Sequence, residues 1–286
     1  MILKNRRELL IPGPGGLITY CCAFFHLIFH VLKWARIMQQ LNVPWLTKES
    51  IAAAAGGVIT DYEAKLKRRV QPPIPVEKII EHGLGLTLGF IDLRKKLKLN
   101  DVLGATFVKK RLICVDQSLT ENQNEGRLCF TVAHETGHWV LHRELVDQAC
   151  RAVEGDGCSA IEPKALQDHI GGYIFCRIRD ARKPIEWQAD YFASCMLMPE
   201  TAVKDAFYKC YGAKPLILYN VKSAFCGPLC FDPCVETWPQ IAGLIIEAGG
   251  FSNVSKQAMI IRLQDLGLVK NETQAKLSWN DSYVMA

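Results

Sequence analysis

His134, Glu135, Thr136, Gly137 and His138 form an H-E-x-x-H segment inside an amphipathic stretch, residues 127–142. At 3.6 residues per turn, side chains four positions apart stand one above the other, so both imidazoles can reach one metal ion. Glu135 turns to the flank, where a metal-bound water would sit. Two imidazoles leave a catalytic zinc incomplete, because such a centre takes three protein ligands and keeps a fourth position open. Downstream, the segment EWQADYFASCMLMP offers Glu186 as an anionic oxygen ligand. Asp190 lies one turn later on the same face, placed to accept the outer N–H of a ligating histidine, fix its tautomer and raise its basicity. A glutamate in the first turn of a surface helix is also favoured by the helix dipole alone, with no metal involved. His142 stands one further turn beyond His138; since His134, His138 and Glu186 complete the set, it is read as a neighbour of the ligands or a structural residue.

These side chains need two helices and a sheet to hold them. Residues 127–142 read as the first helix and 185–198 as the second, stopped by Pro199. Upstream, residues 47–69 read as a helix with Thr47 as N-cap and Glu49 in its first turn. The prolines of residues 71–75 end it, and 76–82 form a short helix closed by Gly83. Residues 84–93 alternate and favour a strand, while 104–108 and 112–116 form a hairpin about Lys109, Lys110 and Arg111. Residues 143–184 read as loop-rich, with one strand at 173–178, and two further helices follow at 239–247 and 255–266.

An apolar content of 49% against 22% charged residues specifies a globular chain with a real core. The formal charge of +5 sits mostly at the start, where Lys4, Arg6, Arg7, Lys33 and Arg36 outweigh Glu8; the remainder is nearly neutral. Nucleic-acid binding driven by bulk charge is therefore disfavoured. Twelve cysteines are too few and too irregularly spaced for a disulfide framework, so they read as mostly reduced and the chain as cytoplasmic. The apolar run at 17–32 is shorter than the roughly twenty residues a bilayer crossing needs, and it carries His26 and His30. Membrane association is not expected, nor is a metal at His26 and His30 without a third ligand nearby. Ordinary globular patterning starts after Met38, which makes Met38 a candidate natural start.

The arrangement RLCFTVAHETGHWVLH followed by PIEWQADYFASCMLMP resembles the ImmA/IrrE family of zinc metallo-endopeptidases. The likeness extends through NVPWLTKESI, YEAKL, PPIPVEKIIEHGLGLTLGFIDL, VLGATF with ICVD, and FSNVSKQAMIIRLQDLGLV, covering residues 43–270. It implies an α+β, zincin-like domain with a small sheet and an active-site helix, one Zn2+ on His134, His138 and Glu186, and Glu135 as the catalytic carboxylate. It also implies a cytosolic regulator that cleaves a helix-turn-helix transcriptional repressor. The organisation expected is an apolar extension at 1–37, a helical lead at 38–72, the catalytic domain at 73–203, and a Cys-containing helical region at 204–286.

Several residues carry weaker signals. An oxyanion stabiliser is not identified; Tyr173, Tyr191 and His169 are candidates, and each is equally read as packing or surface. The strand at 112–116 is the expected edge for substrate strand addition. Cys226, Cys230 and Cys234, near Cys210, lack the C-x-x-C spacing of a zinc ribbon, and loop thiols are favoured over a second metal. Cys129 reads as a small core residue. The two C-terminal helices about Gly249 and Gly250 resemble a helix-turn-helix, but with only Lys256 and Arg262 as cations on the second helix, packing or substrate docking is expected and direct DNA binding is not. The alternative to an endopeptidase is a metal-dependent regulatory binding or sensor protein without turnover, which would have no use for Glu135 beside the ligands.

Overall fold

The computed structural model describes residues 42–97, 101–121, 125–154, 173–177, 183–218 and 233–271. His26, His30, His169, Cys226 and Cys230 lie outside the described residues, as do the side chains of Tyr173 and Cys234. The chain divides into two units, Met1–Val43 with Leu145–Gly172, and Pro44–Glu144 with Tyr173–Ala286. The first contributes residues 42–43 and 145–154 to the described set. Among the described residues, the second contains every strand and His134, Glu135, His138, Glu186 and Asp190.

Helix α1 (Lys48–Leu66) begins where Thr47 accepts a hydrogen bond from the Ser50 amide, a cap of the kind worth about 1 kcal/mol. Its buried stripe, Ile51, Ala55, Val58, Ile59 and Tyr62, follows helical spacing and packs against helix α7 (Pro184–Leu197). Pro75 leads into the short helix α2 (Val76–Lys78), whose last turn widens into a π-turn over Ile79–Gly83. Strand β1 (Thr87–Ile91) and helix α3 (Leu93–Leu97) follow, then the hairpin of β2 (Val102–Phe107) and β3 (Leu112–Asp116). Arg111, in the hairpin turn, adopts a left-handed conformation.

Helix α4 (Ser118–Glu121) precedes α5 (Glu125–Gly137), which carries the H-E-x-x-H segment. The expected helix over 127–142 is present, with its last turn, His138–His142, wound as a π-turn. Such widened turns recur at functional sites. The helical course then continues as α6 (Arg143–Glu154), where the sequence suggested loop. Charged residues at 143, 144, 147 and 151 interleaved with Leu145, Val146 and Ala149 make this a helical pattern, masked by the polar composition around it.

Strand β4 (Tyr173–Arg177) completes a four-stranded sheet in the order β1-β3-β2-β4. β1 runs parallel to β3, and both other pairings are antiparallel. This order corrects the expectation for 112–116. β3 is flanked by β1 and β2, so its main-chain groups are already paired and it offers no edge to a substrate strand.

Helix α7 opens with Pro184 in its first turn and is the central support of the site. It buries Ile185, Ala189, Phe192, Ala193 and Met196 and packs against both α1 and α5. The α5–α7 crossing is close because Gly137 has no side chain: a Cβ there would stand 3.1 Å from Ala189 Cα and 3.2 Å from Phe192 Cβ.

The C-terminal region comprises α8 (Glu200–Tyr211), α9 (Pro233–Gly249) and α10 (Lys256–Asp265), with the short parallel pair β5 (Leu216–Leu218) and β6 (Val269–Asn271). α9 starts well before the expected Pro239, which lies inside it. Burial of Trp238, Ile241, Ala242 and Ile245 along the helix offsets the missing proline N–H. Arg262 of α10 is buried, donates to the Met198 carbonyl at 3.1 Å and pairs with Asp265. That cation is therefore spent inside the protein. Among the described residues no helix is long and apolar enough to cross a membrane.

Candidate metal centre

α5 and α7 meet so that His134, His138 and Glu186 face one another, all buried. Glu186 Oε2 lies 3.2 Å from His134 Nε2 and 3.6 Å from His138 Nε2. One ligand atom from each residue falls within 4.8 Å of the other two, an arrangement that could hold a metal ion. The imidazoles of His134 and His138 meet edge to face, with centroids 4.6 Å apart. Their spacing comes from one turn of α5, and Glu186 enters from the first turn of α7.

Burial by itself would raise the Glu186 pKa, but the neighbouring imidazoles of His138 and His134 hold the carboxyl well below the usual range. It is a carboxylate, the form that binds a cation. His138 Nε2 is buried without a hydrogen-bond partner, as is Glu135 Oε1. Unpartnered buried nitrogen and oxygen atoms beside a carboxylate fit a cation-binding centre, since such atoms are costly to leave unsatisfied.

The outer sides of the two imidazoles are held differently. Asp190 Oδ1 lies 2.8 Å from His134 Nδ1. A carboxylate accepts, so His134 carries its proton on Nδ1 and presents the Nε2 lone pair to the centre. Behind His138, the two Nδ1 atoms of His138 and His142 are 3.1 Å apart, and His142 Nε2 lies 2.9 Å from Gln188 Oε1. Burial, followed by the nearby charge of His138, pushes His142 down to about 3, so it is neutral across the physiological range.

Glu135 lies between α5 and the sheet, fully buried. The Thr106 hydroxyl is 2.7 Å from Glu135 Oε2 and 3.0 Å from the Glu135 carbonyl oxygen. β2 leaves room for this side chain at Gly104, where a Cβ would stand 2.3 Å from Glu135 Oε1. Burial raises the Glu135 pKa, and the neighbouring His138 and His134 and the Thr106 hydrogen bond oppose it only in part.

Gly104, Thr106 and Gln188 were not singled out from the sequence. A glycine within a strand pattern signals close approach of another group, and Gly104 and Thr106 share one face by strand alternation. Gln188 carries no comparable signal: two positions from Glu186, it belongs to a different part of the helix surface. Of the candidate oxyanion stabilisers, Tyr191 donates its hydroxyl to Asp265 Oδ2 at 2.9 Å and is thereby committed away from the centre. Cys114, Cys129, Cys195 and Cys210 are free thiols; burial pushes Cys129 and Cys114 up to about 11, so neither is a ready thiolate.

Compared with protein-family models and with curated proteins, the chain has no match, and its functional reading rests on these side chains.

Proposed function

We propose that the chain is a zinc-dependent endopeptidase with a zincin-like catalytic domain, acting in the cytoplasm on a protein regulator, most specifically a helix-turn-helix transcriptional repressor. The observation that carries this reading is the convergence of His134, His138 and Glu186 with a buried glutamate next to the first ligand in sequence. Zinc is favoured by the donor set of two imidazole nitrogens and a carboxylate. Tetrahedral bonds of about 2.0–2.2 Å set ligand atoms about 3.3–3.6 Å apart. The separations of 3.2 and 3.6 Å at Glu186 lie close to that range. The repressor substrate and the cytoplasmic setting rest on the resemblance to ImmA/IrrE proteins.

Zinc bound there would lower the pKa of its water toward about 7 and polarise the scissile carbonyl. The protein's part is to hold its ligands in one form and to move a proton. Thr106 anchors Glu135 Oε2, which leaves Oε1 without a partner and available to take the proton of the attacking water and return it to the leaving amine. A carboxyl whose pKa is raised by burial is a stronger base than an exposed one, which suits that exchange.

The test is to inspect the adjacent reading frame for a helix-turn-helix repressor and to assay Glu135→Gln against it. The variant should keep its zinc and fold while cleavage slows by a factor of about a hundred to ten thousand. Equal cleavage by variant and wild type would remove Glu135 as the base. If neither cleaves the repressor yet both relieve repression in cells, the chain is a binding or sensor protein on the same scaffold.

A further inference from the structure

We propose that Gln188 and His142 are positioning residues that set the tautomer of His138, in a directional hydrogen-bond relay anchored on the Pro44 carbonyl. The relay rests on the metal-centre reading above for its purpose, but its direction follows from donor and acceptor chemistry with a neutral, buried His142. A main-chain carbonyl only accepts, and Gln188 Nε2 lies 2.8 Å from Pro44 O. The amide nitrogen therefore points to Pro44, and Oε1 faces His142. Oε1 also only accepts, at 2.9 Å from His142 Nε2, so that nitrogen carries the His142 proton. His142 is buried and its polar contacts are Gln188 and His138, with no carboxylate among them, so the ring stays neutral with one N–H, which makes His142 Nδ1 the acceptor for His138 Nδ1 at 3.1 Å. His138 thus spends its proton outward, and its Nε2 lone pair faces Glu186.

The side chains of Gln188, His142 and His138 are buried while Pro44 is exposed, and the members come from three places in the chain: the segment before α1, helix α7 and the π-turn after α5. In most metal sites a ligating histidine gives its outer N–H directly to a carboxylate, a carbonyl or water. His134 does so with Asp190. His138 reaches its carbonyl through two intervening side chains, so the entry to α1 is linked to the orientation of a ligand in the π-turn after α5.

The experiment uses the full chain, labelled with 15N-histidine, in metal-free form, and reads which ring nitrogen of His138 is protonated from long-range 1H–15N spectra; His138→Gln assigns the signals. Wild type should show His138 protonated on Nδ1. Gln188→Leu removes the acceptor, frees His142 to donate from Nδ1 and should move His138 toward the Nε2–H tautomer, with zinc affinity, by chelator competition, lower by about 10–100-fold. Gln188→Met keeps the length and unbranched shape of glutamine without the amide and should give the same tautomer shift as Gln188→Leu, which a role in packing alone does not predict. If Gln188→Leu does not fold, His142→Phe breaks the relay from the other end and should give the same shift. Nε2 protonation of His138 in the wild type, or an unchanged tautomer in the folded relay variants, would overturn the proposal. Wild type that shows Nδ1 protonation but binds no zinc would instead overturn the metal reading and leave the relay standing.

Discussion

The candidate centre has a helical side and a sheet side, and they are built by different physics. On the helical side, α5 and α7 supply His134, His138, Glu186 and Asp190 from positions one turn apart, so local periodicity does most of the placing. On the sheet side, Glu135 fits against β2 only because position 104 has no side chain and position 106 has a hydroxyl. One side holds charge near a potential cation; the other holds a single carboxylate in a tight apolar setting. Metal affinity and proton transfer should therefore be separable by substitution.

The largest effect expected is on the helical side. Glu186→Ala deletes the anionic member of the set, and the purified variant should retain no stoichiometric zinc after dialysis, as read by elemental analysis. A full equivalent of zinc in that variant would move the third ligand elsewhere, with Asp190 and His142 the residues to examine. Asp190→Ala breaks only the outer support of His134 and should weaken zinc affinity by about 10–100-fold in chelator competition, with the fold intact. An affinity within twofold of wild type would show that the 2.8 Å contact contributes nothing to binding.

Gly104→Ala attacks the sheet side. The added Cβ would stand 2.3 Å from Glu135 Oε1 and 2.8 Å from its Cδ, so either the carboxylate or β2 must shift. Overpacking of this kind costs about 1–3 kcal/mol, measurable by chemical denaturation. Turnover should fall while zinc is retained. Loss of zinc with unchanged turnover per bound ion would reverse the division of labour between the two sides.

The smallest effect compares two buried titratable groups in the metal-free protein. His142 has a folded pKa of about 3, below its usual 6.5, so between those values the unfolded chain binds the extra proton. Its contribution to stability is present above pH 6.5 and is lost as pH falls toward 3, by at most about 1.4 kcal/mol per pH unit. Glu135 has the opposite sign. Its folded pKa is raised above 4.5, so its contribution is present at acid pH and is lost as pH climbs past that value. His142→Phe should flatten the acid limb of a stability–pH curve, and Glu135→Gln should gain stability relative to wild type above pH 4.5. Parallel curves for all three proteins would show that neither group is desolvated as the structure has it.

Much of the α+β framework is legible from single-segment patterns. Thr47 followed by a helical stripe, the hairpin of β2 and β3 about a short turn, and Pro199 stopping α7 are local signals, and each element forms within a few residues of its signal. α6 escaped because its charged residues resemble a loop when composition outweighs periodicity, and the start of α9 escaped because Pro239 reads as a helix beginning.

What the sequence determined by itself is the set of side chains that can meet through helical repeat: His134 with His138 along α5, and Glu186 with Asp190 along α7. Only tertiary structure decided what meets them from outside. Strand order made β3 internal, because a strand's neighbours depend on how distant segments pair and not on its own alternation. The close approach of Glu135 to Gly104, and the path from Pro44 through Gln188 and His142 to His138, join residues far apart in the chain. Hydrogen-bond direction and steric fit between such residues exist only once the helices and the sheet have packed, which is why no local spacing encodes them.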